Sequence, residues 1–167
     1  MSNPESEDVE LEWLQSRSAR GRSVDALHGQ GICYICHDLA TGEIFGQQPC
    51  IYEDSQFKAV LAVDPRMYGH TIVIFKPHRP DISALNDEQT ASLFQLCVKL
   101  VNAIRKALGA EKVYLNTMCD GEISHLHVQL FPRFPGDSIG SKRFVAPRGP
   151  LLDGESTANR IRQALRP

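Results

Sequence analysis

The sequence has no apolar run near the roughly 20 residues that a membrane-spanning helix needs. A net charge of −2 at pH 7 leaves no broad basic surface, so the composition predicts neither nucleic acid nor a membrane as a partner. The acidic start, MSNPESEDVE, lacks the apolar segment of a secretion signal, and we therefore expect a cytoplasmic protein. Thiols stay reduced in that compartment, so two neighbouring cysteines would indicate a metal site before a disulfide.

The composition that remains is ordinary for a globular chain. With 167 residues, 42% of them hydrophobic, the sequence suits one domain with a single core. Residues 1–30 are polar, and we expect a mobile or draped extension with at most a short helical turn at residues 10–14. Residues 31–150 are the expected domain, and residues 151–167 the expected tail with a short helix.

Periodicity in the middle of the chain predicts an α+β fold, a mostly antiparallel sheet with one long helix packed on it. The helix is expected between Asn86, a suitable N-cap, and Gly109, a suitable C-terminal stop, because apolar residues recur there at helical spacing. The segments predicted as strands are residues 51–52, 57–63, 71–75, 113–115 and 124–131.

The last of these strands carries three polar side chains in strict alternation. Residues two apart point to the same face of a strand, so His125, His127 and Gln129 share one face while Leu126 and Val128 face the core. A solvated edge strand would also tolerate polar residues, and a lone histidine there would be incidental. Two histidines and a glutamine between apolar neighbours favour a catalytic or ligand-binding strand.

A second motif, Cys33-Tyr-Ile-Cys36, is compatible with zinc binding, with redox chemistry or with chance. A thioredoxin-type motif sits at a helix N-terminus in a βαβ unit, which the surrounding sequence does not resemble. A structural zinc site needs four ligands, and His78 and His125 are the candidates for the other two. His37 is the competing ligand, although a histidine next to Cys36 is more typical of a solvated turn.

The segment HLHVQLFPR, residues 125–133, resembles the signature of the histidine triad (HIT) superfamily. The upstream segments DPRMYGH and YGHTIVIFKPH are similar to the family's turn and to the strand before its long helix, and the resemblance covers roughly residues 32–150. It implies a HIT-like fold and a nucleotide-processing enzyme. It also implies that His127 is the nucleophile that attacks the α-phosphate and forms a covalent nucleotidyl-histidine.

Gln129 stands where the family's hydrolase branch has a third histidine and its transferase and phosphorylase branch has glutamine. A primary amide donates hydrogen bonds to phosphate oxygens but does not exchange a proton near neutral pH. The resemblance therefore implies that Gln129 assists His127 by stabilising charge, and it favours leaving groups that depart as stable anions. Hydrolysis, phosphorolysis and nucleotidyl transfer, on dinucleoside polyphosphates or similar substrates, all stay open.

The resemblance also implies ligands for a metal and a nucleotide. Zinc-containing members of the family are similar to this chain in a CxxC motif and two histidines, which places a structural Zn²⁺ on Cys33, Cys36, His78 and His125. The positions that it implies near the nucleotide are Asn116, Ser124 and His70. Ser124 is equally typical of a strand end, and His70 of a hydrogen-bonded core histidine. The family's acidic ribose-binding position falls on Ala62, for which Asp64 is the candidate substitute.

The sequence leaves open the contacts to distal phosphates, the alternatives to an enzyme and the oligomeric state. Arg133, Lys142 and Arg143 follow the histidine strand and are candidates to meet distal phosphates, or form a solvated tail. The alternatives to an enzyme are a nucleotide-binding sensor with the HIT fold and little catalysis, and a zinc-stabilised scaffold. Many family members are symmetric dimers, and the sequence permits a homodimer.

Overall fold

The computed structural model describes residues 4–121 and 123–166. The α-helices are α1 (Pro4–His28), α2 (Tyr34–Thr41), α3 (Asp87–Leu108) and α4 (Gly154–Leu165), and short 3₁₀ helices cover Ile82–Ala84 and Ser141–Val145. The strands are β1 (Cys50–Glu53), β2 (Phe57–Leu61), β3 (Thr71–Phe75), β4 (Lys112–Asn116) and β5 (His127–Arg133). All pairings are antiparallel, in the order β1-β2-β3-β5-β4. The predicted α+β fold is therefore confirmed.

The long helix α3 forms where its end signals predict it. Asn86 accepts a hydrogen bond from the Gln89 N–H at 2.8 Å, and the Gln89 side chain accepts one from the Asn86 N–H at 3.2 Å. Gly109 ends the helix in the left-handed region, at φ 78°. The core under α3 also includes α4 and one face of the sheet. The buried helical residues that face it are Leu93, Leu96, Cys97, Leu100, Ala103 and Ile104.

The opposite face of the sheet carries a smaller core under α2. Ile35 of α2 packs there against Val60 of β2 and Ile74 of β3. Strand alternation explains this division, because neighbours such as Val73 point to the other face and join the larger core. The short helix α2 covers only part of this face, and the uncovered part leaves room for a site.

The N-terminal segment differs from its prediction. Residues 4–28 form the 25-residue helix α1 instead of a short turn at residues 10–14. The apolar residues of α1 do not gather on one face, so the sequence lacks the continuous apolar stripe that predicts a helix, and most of its described residues are exposed. Half-buried residues along one side, among them Trp13 and Arg20, face the rest of the chain. No helix in the described part of the chain is long and apolar enough to cross a membrane.

The histidine strand begins later than predicted. The ladder of β5 starts at His127, and His125 and Leu126 precede it. Leu126 still makes two backbone hydrogen bonds to β3 and the loop after it. Its carbonyl accepts from the N–H of Phe75, the last residue of β3, at 3.3 Å, and its N–H donates to the carbonyl of Arg79 at 2.7 Å. These two bonds continue the contact between the chain segments beyond the regular ladder.

Candidate active site and metal cluster

A cavity of about 250 Å³ lies between α2 and the uncovered face of the sheet. Its polar residues include His127 and Gln129, which β5 presents two positions apart on the same face. Its apolar walls come from α2, β3 and the loop after α2, through Ile35, Leu39, Phe45, Ile72 and Ile74. Ligand cavities in proteins share this combination of an apolar lining and a few converging polar groups.

The orientation of the His127 ring is set by the backbone. Its Nδ1 lies 2.9 Å from the carbonyl oxygen of His125. A carbonyl can only accept a hydrogen bond, so the proton belongs on Nδ1 and Nε2 keeps its lone pair. The arrangement leaves Nε2 of a cavity-lining histidine available to attack an electrophile.

The amide of Gln129 is oriented by His70. The backbone N–H of Arg66 donates to Nδ1 of His70 at 3.3 Å, which leaves the ring proton on Nε2. Nε2 of His70 then donates to Oε1 of Gln129 at 3.1 Å. Because the oxygen is used in this way, the NH₂ group of Gln129 is free to donate to a ligand in the cavity.

The environment of His70 keeps its imidazole neutral. The side chain is 1% exposed and its ring centroid lies 4.5 Å from that of Phe131. Burial lowers the pKa of His70 to about 4, and the charges of Arg148 and Arg66 contribute to the shift. The hydrogen bond to Gln129 is therefore one between neutral groups at pH 7.

Cys33, Cys36, His78 and His125 form a compact cluster, with the four ligand atoms within 4.8 Å of one another. Nδ1 of His125 lies 3.4 Å from Sγ of Cys33 and 3.3 Å from both Sγ of Cys36 and Nδ1 of His78. A tetrahedral ion with bonds of roughly 2.0–2.3 Å has ligand–ligand edges of about 3.3–3.8 Å. The donor set is that of one tetrahedral metal ion, and the distances from His125 to the other three ligand atoms fall within this range of edges.

The protonation of the cluster also suits a metal. Burial lowers the pKa of His125, which favours the neutral imidazole that ligates. Burial and the neighbouring thiol of Cys33 raise the pKa of Cys36 to about 11 in the metal-free chain. A bound divalent cation supplies the charge that stabilises the two thiolates.

The CxxC motif lies at a helix N-terminus, which the sequence did not predict. Cys33 is the N-cap of α2, and its Sγ accepts a hydrogen bond from the Cys36 N–H at 3.5 Å. The βαβ setting of a redox motif is absent from the described chain, since α1 precedes the motif. Nδ1 of His125 lies beside both sulfurs and Nδ1 of His78 lies beside that of Cys36, which favours a metal site. His37 lies outside the cluster, with Nε2 2.9 Å from Oε2 of Glu43.

The family model described as "HIT domain" matches residues 46–136, more than half of the chain. The chain belongs to the HIT family. The resemblance to the histidine triad superfamily is thereby confirmed.

Individual relatives are similar to this HIT protein over most of its length. An uncharacterized HIT-like protein of Borreliella burgdorferi is 31% identical over 99 residues, 56% of this chain and 71% of the relative. The adenylylsulfatase HINT3 of Arabidopsis thaliana is 26% identical over 148 residues, 85% of this chain and 73% of the relative. A zinc-bound histidine triad family protein from Mycobacterium smegmatis superposes with a TM-score of 0.64 at 25% identity, covering 80% of this chain and 92% of that chain.

The predicted ribose-binding position lies at the cavity of this HIT domain, but its acidic candidate is already hydrogen-bonded. Ala62 and Asp64 both line the cavity. Oδ1 of Asp64, however, already accepts hydrogen bonds from Nε1 of Trp13 at 2.7 Å and from Nη2 of Arg20 at 2.5 Å. The carboxylate that is the candidate substitute for the ribose contact is thus engaged, through Oδ1, by α1.

Asn116 and Ser124 do not line the cavity. Asn116 pairs with Gln129 across β4 and β5, which puts the two side chains on the same face of the sheet. The hydroxyl of Ser124 donates to the carbonyl of Pro80 at 2.7 Å and ties the loop before β5 to the loop after β3. The structure therefore brings His70, Asp64, His127 and Gln129 together at or beside the cavity, and leaves these two residues outside it.

The three basic residues proposed to meet distal phosphates lie outside the cavity, and a different arginine lines it. Arg133 pairs with Glu111 at 2.8 Å and Arg143 pairs with Asp137 at 3.0 Å, neither in the cavity. Lys142 is exposed outside it. Arg148 lines the cavity instead. A residue 15 positions beyond the end of β5, in a loop rich in glycine and proline, carries no periodic signal that would have predicted its place.

Proposed function

We propose that this HIT protein is an enzyme that cleaves a nucleotide at its α-phosphate through a covalent nucleotidyl intermediate on His127. The observation that carries the proposal is the hydrogen bond from Nδ1 of His127 to the His125 carbonyl, which leaves Nε2 as a nucleophile inside the cavity. Covalent catalysis divides one difficult displacement into two easier ones.

In the first step the Nε2 lone pair forms a bond to the α-phosphorus, and the bond from phosphorus to the leaving oxygen breaks. The leaving group takes that electron pair and departs as an anion. In the second step an oxygen of water or phosphate bonds to phosphorus, the P–N bond breaks, and Nε2 recovers its lone pair. Any proton of the acceptor passes to solvent. Throughout, Nδ1–H remains bonded to the His125 carbonyl, which steadies the ring when it carries positive charge.

Gln129 stabilises charge on the phosphoryl oxygens. Its NH₂ group is left free by His70, so it can donate to a non-bridging oxygen as negative charge develops. An amide cannot protonate a leaving group, which favours leaving groups that are stable anions, such as phosphates. Sulfate is another such anion, and the relative from Arabidopsis thaliana carries the name adenylylsulfatase. His70 acts through Gln129 in this scheme and is a positioning residue.

The other residues predicted to contact the nucleotide have peripheral or indirect roles in this proposal. Asn116 shares a sheet face with Gln129 and can reach a ligand that extends past the cavity toward β4. Ser124 acts on the nucleotide indirectly, by holding the loop before β5 through Pro80. Asp64 borders the cavity, and a ribose hydroxyl that binds to its carboxylate has to share it with Trp13 and Arg20 of α1 or displace them.

We also propose that the ion in the Cys₂His₂ cluster is a structural zinc. Four protein ligands would close a tetrahedral site and leave no position for substrate. The zinc-bound relative from Mycobacterium smegmatis supports the choice of metal. Free thiolate ligands need a reducing compartment, which agrees with the cytoplasm.

The homodimer permitted by the sequence is also part of the proposal. Strand β4 is an edge of the sheet, and apolar side chains beside it are exposed. Phe94 and Val98 of α3 are 47% and 58% exposed, and Leu115 of β4 is 42% exposed. A second copy would bury these side chains and pair the free edge of β4.

A nucleotide sensor is the second candidate, and one observation favours it. The Asp64 carboxylate is occupied by Trp13 and Arg20, so nucleotide binding at that end of the cavity could move α1 without turnover. Calorimetry separates the candidates. Tight nucleotide binding that His127→Ala leaves unchanged, without turnover of any substrate, would favour the sensor.

The test of the enzyme is a substrate panel of dinucleoside polyphosphates, nucleoside phosphoramidates, nucleotide sugars and adenylyl sulfate, with and without added phosphate. We expect turnover of at least one anionic-leaving-group substrate, and a fall on the order of a thousandfold or more in His127→Ala. His37→Ala is the matched control, because His37 lies outside the cavity and outside the metal cluster. Equal rates in wild type and His127→Ala would reject the proposal.

A further inference from the structure

Arg148 lines the cavity that holds His127 and Gln129, yet it has no acidic partner in the described chain. Its Nη1 donates to the backbone carbonyl of Asp64 at 3.0 Å. This is the single hydrogen bond of the Arg148 side chain among the described residues, although a guanidinium has five N–H donors. The carboxylate of Asp64 is nearby but accepts from Trp13 and Arg20.

The surroundings of Arg148 carry excess positive charge. Burial lowers the pKa of Arg148, and the charges of Arg66 and Arg17 lower it further, whereas Asp64 acts in the opposite direction. A half-buried cation among other cations is costly unless an anion accompanies it.

The other arginines near the end of β5 do not share this situation. Arg133 and Arg143 each have a carboxylate partner, Glu111 and Asp137, at 2.8 and 3.0 Å. Their charges are therefore balanced within the protein. Arg148 is the cavity arginine whose donors the described chain leaves for a ligand.

We propose that the preferred nucleotide carries a second anionic group besides the phosphate at His127, and that Arg148 binds this second group. The inference rests on the proposed function, which places the first phosphate between His127 and Gln129. A guanidinium matches two oxygens of a phosphate in parallel, so the second group is a phosphate or a similar oxyanion. It can belong to the polyphosphate chain or to the ribose.

The test is calorimetric titration of the full-length, metal-loaded protein with AMP, ADP and adenosine 3′,5′-bisphosphate. All proteins carry His127→Ala so that no turnover occurs. They are compared with and without Arg148→Met, which keeps the aliphatic stem, and Arg148→Lys, which keeps the charge. Arg22→Met is the matched control, because Arg22 is exposed on α1 and bonds only to Ser18 among the described residues.

We expect ADP or the bisphosphate to bind about 10- to 100-fold more tightly than AMP. Arg148→Met should remove this preference and leave AMP affinity nearly unchanged, Arg148→Lys should retain part of it, and Arg22→Met all of it. A preference for ADP assigns the second anion to the polyphosphate chain, and a preference for the bisphosphate assigns it to the ribose.

The inference is overturned if the His127→Ala protein with Arg148 intact binds neither ADP nor the bisphosphate more tightly than AMP. It is also overturned if such a preference survives both Arg148→Met and Arg148→Lys. Its failure is distinguishable from failure of the enzyme proposal, which depends on turnover by the protein with His127 intact. Turnover without an Arg148-dependent preference rejects the inference alone. An Arg148-dependent preference without turnover rejects the enzyme alone.

Discussion

The carbonyl oxygen of His125 lies 2.9 Å from Nδ1 of His127, while the imidazole of the same His125 belongs to the metal cluster. Nε2 of His125 is also fixed, since it lies 2.7 Å from the carbonyl of Phe75. One residue therefore connects the metal ligands to the orientation of the proposed nucleophile. A metal ion bound by this cluster would therefore also hold His127 in position, without touching the substrate.

Removal of a metal ligand should therefore reduce both stability and activity. We expect Cys36→Ser to lower the bound zinc well below about one ion per chain, and to lower kcat by about 10- to 100-fold under conditions where the protein is still folded. Metal analysis, thermal unfolding and turnover measure the three effects. Cys50→Ser is the control, since Cys50 lies outside the cluster. Unchanged zinc content in Cys36→Ser would contradict the assignment of the ligands.

The role of Gln129 predicts opposite effects from two substitutions. Gln129→Glu replaces the NH₂ donors with a charge that repels phosphate, and kcat should fall about 100-fold or more. Gln129→His supplies a group that can protonate a leaving group, so cleavage of nucleoside phosphoramidates should rise relative to cleavage of dinucleoside polyphosphates. The ratio of kcat/KM for the two substrate classes is the readout. The same ratio in Gln129→His and wild type would contradict the role given to the amide.

The buried His70 predicts a specific pH dependence of stability. Its pKa is about 4 in the folded protein, against an ordinary value of 6.5, so the unfolded chain binds the proton first as pH falls. The free energy of unfolding should fall by about 3 kcal/mol on this account between about pH 6.5 and pH 4, and be unaffected above that range.

His70→Gln isolates this contribution, because glutamine does not titrate and the metal ligands respond to acid in both proteins. Denaturant titrations measure the free energy of unfolding of both proteins. As pH falls, that of the wild type should decrease more than that of the variant. A difference that is constant from pH 7 to pH 4 would show that His70 is not held neutral by its burial.

The contact between α1 and Asp64 is open to a direct optical test, because Trp13 is the chain's single tryptophan. Asp64→Ala removes the acceptor of both Trp13 and Arg20, which should release α1 and shift Trp13 emission to longer wavelength. Asp25→Ala, on the exposed side of α1, should leave the spectrum unchanged. An unshifted spectrum in Asp64→Ala would mean that α1 stays docked without the carboxylate.

Local signals in the sequence predicted the central fold well. The ends of α3 depend on two residues, Asn86 and Gly109, whose capping chemistry is local and therefore readable from sequence. Strand alternation likewise placed His127 and Gln129 on one face. The four cluster residues come from three distant segments, so spacing offered His78 and His125 only as candidates, and the family resemblance supported that choice.

Contacts that form only in the folded chain were not predictable. Helix α1 has no apolar stripe, and its attachment through Trp13 and Arg20 depends on where Asp64 lies in the fold. Arg148 reaches the cavity from a loop without periodicity. The pairing of the Asp64 carboxylate was not predictable either, because no pattern in the sequence indicates that α1 contacts it.

The intact mass of the protein after brief incubation with a nucleotide mixture, quenched without acid, shows whether His127 is the nucleophile. We expect a wild-type adduct equal to one nucleotidyl group, located on His127 by peptide mapping and absent from His127→Ala. The transferred group would also identify the preferred base. Consumption of a substrate without any adduct, or an equal adduct on His127→Ala, would rule out covalent catalysis by His127.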